Sequence, residues 1–263
     1  FIQSNDIDTN YIYSDDDNFN FDLLNKIPKF TQNKYFDSIT ELEELKKNPL
    51  KITEYWNAAQ LKINLDNKIK FLKTHNACVS YKGKWFTDAN NTKGYIYIVR
   101  DPRAVACSNA YHANISFEQS VDDLLNDNQI GYNGPYKLAE LPGSWKTNYL
   151  SWSKKKKYDG IIIKYEDLID NTEKEFRKIL IFLKKSMNIV INEKKILKSI
   201  SSCQFSQLAK MENVNGFKEA INKNFFRKGE KDSWKNDLNN ILKKKIEENF
   251  KEEMIELGYL DND

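Results

Sequence analysis

The chain is short of most residue types that carry specialised chemistry. Its 263 residues hold 3 cysteines, 2 histidines, 9 glycines and four arginines, the last against 37 lysines. The cysteines, Cys78, Cys107 and Cys203, are widely spaced. That excludes a disulfide framework and a paired-cysteine metal knuckle. The histidines, His75 and His112, form no HExxH and join no His/Cys cluster, so metal catalysis lacks its ligands. No GxSxG elbow is present for an acyl transferase. No apolar run is long enough to cross a membrane as a helix. The opening residues, FIQSNDIDTN, show no basic region followed by an apolar stretch, so no secretory signal is read there. A net charge of +3 is too small to argue for nucleic acid or a membrane surface.

What is present is a soluble, globular composition, 40% hydrophobic and 30% charged, long enough to bury a core. Lysine replaces arginine on most solvated surfaces, but it lacks the planar fork that grips phosphate or sulfate through two parallel hydrogen bonds. The arginines that remain, Arg100, Arg103, Arg177 and Arg227, are therefore candidates for anion contacts.

Short apolar runs bounded by polar residues read as buried strands at 69–72 (IKFL), 95–99 (YIYIV) and 160–165 (GIIIKY). Helices are expected over 39–47, 52–62, 116–125, 144–152, 172–187, 193–201 and 236–257, the last stopping at Gly258. Asp101 is a cap and Pro102 a first-turn residue, so 104–112 continues as a helix. Residues 224–235 read as an irregular loop around Gly229, and the acidic run at 15–18 as disordered or, alternatively, as a place for a hard cation. Helices between strands that are apolar on both faces indicate an α/β protein with a central parallel sheet, taken as a single domain over 1–263. In such sheets ligands collect beyond the carboxyl ends of the strands. Three polar clusters stand at those ends: Lys73 with His75, Arg100 with Ser108, and Tyr165.

Arg100 offers a charged fork, Ser108 a hydroxyl and the helix start a positive end, which together make an anion pocket. Alternatively, Arg100 only pairs with Asp101 or Asp170. Arg227-Lys228-Gly229 is a second basic loop, in which glycine would let backbone approach an anion. His75 could take a proton from an attacking hydroxyl while Lys73 neutralises a leaving oxygen, or it could simply hold its loop. His112 reads as a helix-end or surface residue.

Five segments, in order, resemble the PAPS-dependent sulfotransferase family, here abbreviating 3′-phosphoadenylyl sulfate as PAPS. They are FLKTH at 71–75, YIYIVRDPRAVACSNAYH at 95–112, GSW at 143–145, IKYEDL at 163–168 and FFRKGEKDSWKN at 225–236. The resemblance covers about 20–257 and implies a three-layer fold like that of P-loop nucleotide-binding proteins. It implies transfer of a sulfuryl group from PAPS to an acceptor hydroxyl or amine of a carbohydrate or other small molecule. The product is 3′-phosphoadenosine 5′-phosphate, PAP. It implies His75 as general base, Lys73 as its neighbour at the sulfuryl group, and Arg100, Ser108, Arg227, Lys228 and Gly229 around the 3′-phosphate. Tyr165 falls on the adenine side, and Phe205 and Phe226 align with pocket residues near the nucleotide. No metal, nucleic acid or membrane is implied, and the location implied is cytoplasmic.

There are departures. The family's PKSGTTW-like loop, which cradles the donor's phosphosulfate, is not found, and Gly83 is the first glycine. The expectation is a chain that is incomplete at its N-terminus or altered there. The late motif lacks Gly-Asp before its Trp, and 237–245 does not match the dimer motif of animal cytosolic members. Two other readings stand beside the enzyme. One is a degenerate member that binds PAP without catalysis. The other is a nucleotide-dependent kinase, which would need a GxxxxGK[ST] loop that is not present.

Overall fold

The computed structural model describes residues 27–66, 68–131, 138–154, 158–187, 189–217, 225–227 and 229–262. The acidic run at 15–18 and Lys228 lie outside these residues. Helices α1 (Leu42–Lys47) and α2 (Trp56–Ile63) come first, followed by a small hairpin of β1 (Ser80–Tyr81) and β2 (Lys84–Trp85). Strand β3 (Gly94–Val99) leads into α3 (Pro102–Ala113), α4 (Phe117–Leu125) and α5 (Trp145–Ser153). Strand β4 (Asp159–Lys164) is followed by α6 (Tyr165–Asp170), α7 (Thr172–Met187), α8 (Glu193–Ser202) and α9 (Phe205–Asn215). Helices α10 (Trp234–Asp237), α11 (Asn240–Asn249) and α12 (Lys251–Glu256) complete the order.

Strands β3 and β4 pair in parallel, from Gly94 opposite Asp159 to Val99 opposite Lys164. Side chains alternate across a strand, and the two faces of β3 enter different cores. Tyr97, Val99 and Ile162 pack with residues of α3, α4, α5 and α11. Ile96 packs on the other face against Leu180, Leu183 and Ile196 from α7 and α8. Helix, sheet and helix thus form the three layers expected of an α/β protein. Tyr95 belongs to a further aromatic cluster with Trp56, Phe86 and Trp152. Among the described residues no helix is long and apolar enough to cross a membrane.

Gly160 is required where these layers meet. It sits opposite Tyr95, and a Cβ there would lie 2.1 Å from the Tyr95 ring. The ring cannot swing away, because its hydroxyl donates to the Trp152 carbonyl at 2.7 Å and only 8% of the residue is exposed. Gly160→Ala is expected to destabilise the protein by about 1–3 kcal/mol, as overpacking does. Urea denaturation measures this, and an unchanged midpoint would show that the ring relocates freely.

Local chemistry explains most boundaries. The Asp101 side chain accepts from the Arg103 amide at the start of α3, with Pro102 in the first turn. Ser116 and Ser144 cap α4 and α5 in the same way. The expectations for 69–72 and 236–257 need correcting. Residues 69–72 form no strand among the described residues. The only pairing there is at Lys73, which exchanges backbone bonds with Pro28 and Phe30. The apolar run reported burial, as Ile69 packs with Leu180 and Leu183, but burial does not provide a ladder partner. The long C-terminal helix breaks twice, at Leu238, where the backbone is extended (φ −93°, ψ 131°), and at Phe250, whose backbone leaves helical geometry (φ −117°, ψ 19°). Phe250, Ile246 and Met254 are nonetheless all buried, so the apolar step of four survives the break. The loop at 224–235 gives way earlier than expected, to α10 at Trp234.

Candidate functional site

The polar ends of the sheet are held together by α5. Its Trp145 donates Nε1–H to the Arg100 carbonyl at 3.1 Å. Asn148, three residues on and on the same face, donates Nδ2–H to the His75 carbonyl at 3.0 Å. The Asn148 side-chain oxygen accepts from the Tyr97 hydroxyl at 3.0 Å. One helix therefore fixes both Arg100 and His75.

His75 is exposed, yet its backbone is gripped on both sides. Its N–H donates to Glu140 at 3.0 Å, and Glu140 is 1% exposed with Lys29 3.9 Å away. The next residue, Asn76, is also 1% exposed. Its carbonyl accepts from Trp152 Nε1–H at 3.1 Å, and its side-chain oxygen accepts from the Leu141 amide at 2.7 Å. Lys73 is exposed two residues earlier. These bonds fix the backbone from which the His75 side chain projects, a first requirement of general acid–base chemistry.

The second cluster forms where β3 and β4 end. The Arg100 guanidinium lies over the Tyr165 ring, 4.5 Å from its centroid. Neither alternative partner holds Arg100. Asp101 pairs with Arg103, and Asp170 pairs with Lys231. Arg100 Nη2 reaches the Glu230 carbonyl at 3.5 Å, while its Nε is buried without a hydrogen-bond partner. Such an orphaned donor is uncommon in native proteins and costs free energy unless something accepts from it.

The late loop lies along α3. The Arg227 guanidinium stacks on Tyr111, 3.6 Å from the ring centroid, and Phe225 meets His112 edge-on at 5.6 Å. Ser108 stands three residues before Tyr111, on the same face of α3, and is exposed. The structure thus brings Ser108 and Arg227 to one face of α3, with Arg100 at that helix's start. Gly229 adopts a left-handed backbone (φ +64°), and a Cβ would lie 2.6 Å from the Phe205 ring. Phe205 in turn meets Phe226 edge-on at 6.2 Å. The residue types at 205, 226 and 229 are therefore coupled by packing.

The other two arginines do different work. Arg103 is 6% exposed and bound to Asp101, Glu247 and the Tyr259 carbonyl, with Trp234 stacked at 3.9 Å. Burial would lower its pKa, but Asp101 and Glu247 outweigh that and raise it. Arg177 bridges Glu173 and Glu193 at the surface. Glu166 accepts from the Asp101 amide and from the Tyr259 hydroxyl. Burial, and then the Glu166 carboxylate, hold that hydroxyl well above the ordinary tyrosine range.

Sequence reasoning missed Asn76, Glu140 and Asn148. Asn148 carried a signal, a polar residue inside the Trp145–Trp152 apolar stripe. Glu140 carried none. Among the described residues no group of three or more His, Cys, Asp or Glu could hold a metal ion.

A family model described as "Sulfotransferase domain" matches residues 15–258. Cytosolic sulfotransferase 15 of Arabidopsis thaliana is 30% identical over 157 residues, 54% of this chain and 41% of the relative. A crystal structure of a mouse sulfotransferase complexed with PAP superposes with a TM-score of 0.51 at 23% identity, covering 71% of this chain and 66% of that one. Retinol dehydratase in complex with androsterone and inactive cofactor PAP gives a TM-score of 0.51 at 19% identity, over 70% and 53%. The matched region therefore spans less than half the length of the plant relative.

Proposed function

Because this chain belongs to the sulfotransferase family, we propose that it binds PAPS and transfers the sulfuryl group to a hydroxyl of a carbohydrate or other small acceptor. Residues 1–263 are taken as one sulfotransferase-like domain, which the undivided family match over 15–258 supports. A cytoplasmic location belongs to the same proposal, supported by the plant relative's description as cytosolic.

The observation that carries the reading is the buried, unpartnered Nε of Arg100. It lies at a strand end, where an α/β sheet receives ligands. A nucleotide phosphate supplies the acceptor that this donor lacks. Ser108 and Arg227, on one face of α3, extend the same anion-binding surface, and Lys228 completes its sequence motif. Tyr165 stands on the adenine side, with Phe205 and Phe226 behind Gly229, where the Phe205 ring fills the space a Cβ would need.

In the reaction, the acceptor oxygen forms a bond to sulfur as the bond from sulfur to the 5′-phosphate oxygen breaks, and PAP leaves. His75 removes the acceptor's hydroxyl proton, and Lys73 offsets charge on the oxygens of the transferred group. Sulfuryl transfer, like phosphoryl transfer, is dominated by positioning and charge stabilisation. The braces from Glu140 and Asn148 suit His75 to that task.

Thermal shift tests the nucleotide assignment. PAP at a hundred times its dissociation constant is expected to stabilise the protein by about 2.7 kcal/mol, while 5′-AMP, lacking the 3′-phosphate, does markedly less. Equal shifts would sink the assignment.

A further inference from the structure

The late loop is held from behind by a residue that no motif singles out. Glu212, in α9, is 6% exposed, and its two carboxylate oxygens accept from the consecutive amides of Phe225 and Phe226, at 2.6 and 2.9 Å. These lie just before Arg227. The aromatic rings crowd around the same point: Phe225 and Phe226 meet each other at 5.2 Å, and Phe217 meets them at 5.0 and 5.4 Å. Phe205, at the start of the same helix, packs under Gly229. Helix α9 therefore grips the loop at both ends, through a carboxylate before Arg227 and a ring after it.

We propose that Glu212 is a positioning residue for the nucleotide 3′-phosphate, acting through the loop that carries Arg227. A carboxylate is an odd neighbour for an anion site, since its charge opposes the ligand's. Its retention there is explained by what it holds. Hydrogen bonds to an ionised acceptor are roughly twice as strong as neutral ones. Two on adjacent amides fix both the position and the direction of the backbone entering the loop. With that entry fixed, Arg227 stays stacked on Tyr111, on the face of α3 that bears Ser108. Without it, two part-buried amides lose their acceptor, and the loop is left to the ring contacts with Tyr111 and His112 and to the pairing of Arg227 with Asp237. The proposal rests on the assignment of the 3′-phosphate to this loop.

The test compares wild type, Glu212→Gln and Glu212→Ala by titration calorimetry with PAP and with 5′-AMP, alongside amide hydrogen exchange of the 225–227 peptide without nucleotide. Glu212→Ala is expected to weaken PAP binding about tenfold or more while leaving 5′-AMP binding within about twofold, so that the preference for PAP collapses. Glu212→Gln keeps the shape and one acceptor oxygen and should fall between the two. Exchange in the loop peptide should speed up in the same order. A purely structural role would weaken both nucleotides together and follow the unfolding midpoint. That result, or an undiminished PAP preference in both variants, overturns the proposal. If the alanine variant does not fold, the glutamine variant decides. A wild type that does not prefer PAP to 5′-AMP would instead overturn the nucleotide assignment beneath it. The exchange data would then still show whether Glu212 holds the loop.

Discussion

Arg103→Ala is expected to cost about 3–5 kcal/mol of stability, the range for removing one partner from a buried ion pair. For a chain of this size that lowers the thermal midpoint by on the order of 10 °C. The guanidinium satisfies the Asp101 carboxylate, the Glu247 carboxylate and the Tyr259 carbonyl, and it stacks on Trp234. Deleting it leaves Asp101, 5% exposed, as a buried charge whose remaining hydrogen bond is its cap on α3. Arg103→Lys should rescue little of this, because an ammonium is a point donor that cannot serve three differently placed acceptors and a ring face together. Calorimetric unfolding of both variants measures the effect. Loss under about 1 kcal/mol in Arg103→Ala would mean that water replaces the guanidinium without penalty.

His75→Ala is expected to abolish sulfuryl transfer, by roughly 10²–10⁴-fold if proton removal is its whole contribution. PAP affinity should stay within a small factor of wild type, because the interactions the structure assigns to His75 at the Glu140 and Asn148 braces use its backbone. Alanine preserves both. Turnover with labelled PAPS and a panel of phenols, alcohols and sugars reads the first quantity, and calorimetry reads the second. Retained turnover would refute His75 as base. A wild type that binds PAP and transfers to no acceptor would favour the non-catalytic reading of the family resemblance.

Much of the architecture was legible because local signals agreed with one another. The Asp101-Pro102 start of α3 and the Ser116 and Ser144 caps stood where their side chains accept from the first turn. The apolar runs of β3 and β4 belong to a pair that packs against helices on both faces, with Ile98 left 56% exposed. Two boundaries failed for a shared reason. The step-of-four pattern through Phe250 records which side chains are buried, and that is preserved across a backbone break. The run at 69–72 likewise records burial, whereas a strand is defined by a neighbour that sequence does not name.

The candidate site divides in the same way. His75, Arg100 and Arg227 were legible as rare residue types within short motifs, and Lys73 by its place two residues before His75. Glu140 and Glu212 were not, and Asn148 showed only as a polar break in an apolar stripe, since their roles depend on contacts 65 to 73 positions apart, or on a turn of chain that folds back onto α9. The scarcity of arginine proved a mixed guide. Arg103 and Arg177 are held by carboxylates rather than turned toward a ligand, and Arg227 lies 3.7 Å from Asp237 as well as over Tyr111.

The Arg103 corner also has a consequence for how the protein is made. The turn after α12 closes with Gly258 bonded to Ile255 and Tyr259 to Met254, and it delivers Tyr259 to both Arg103 and Glu166. A ribosome adds about 5–20 residues each second. Arg103 therefore waits on the order of ten seconds between leaving the peptidyl-transferase centre and the arrival of position 259. During that interval the growing chain holds a guanidinium with only Asp101 nearby in sequence to answer it. The contacts around Arg103 and Glu166 are therefore completed late in synthesis.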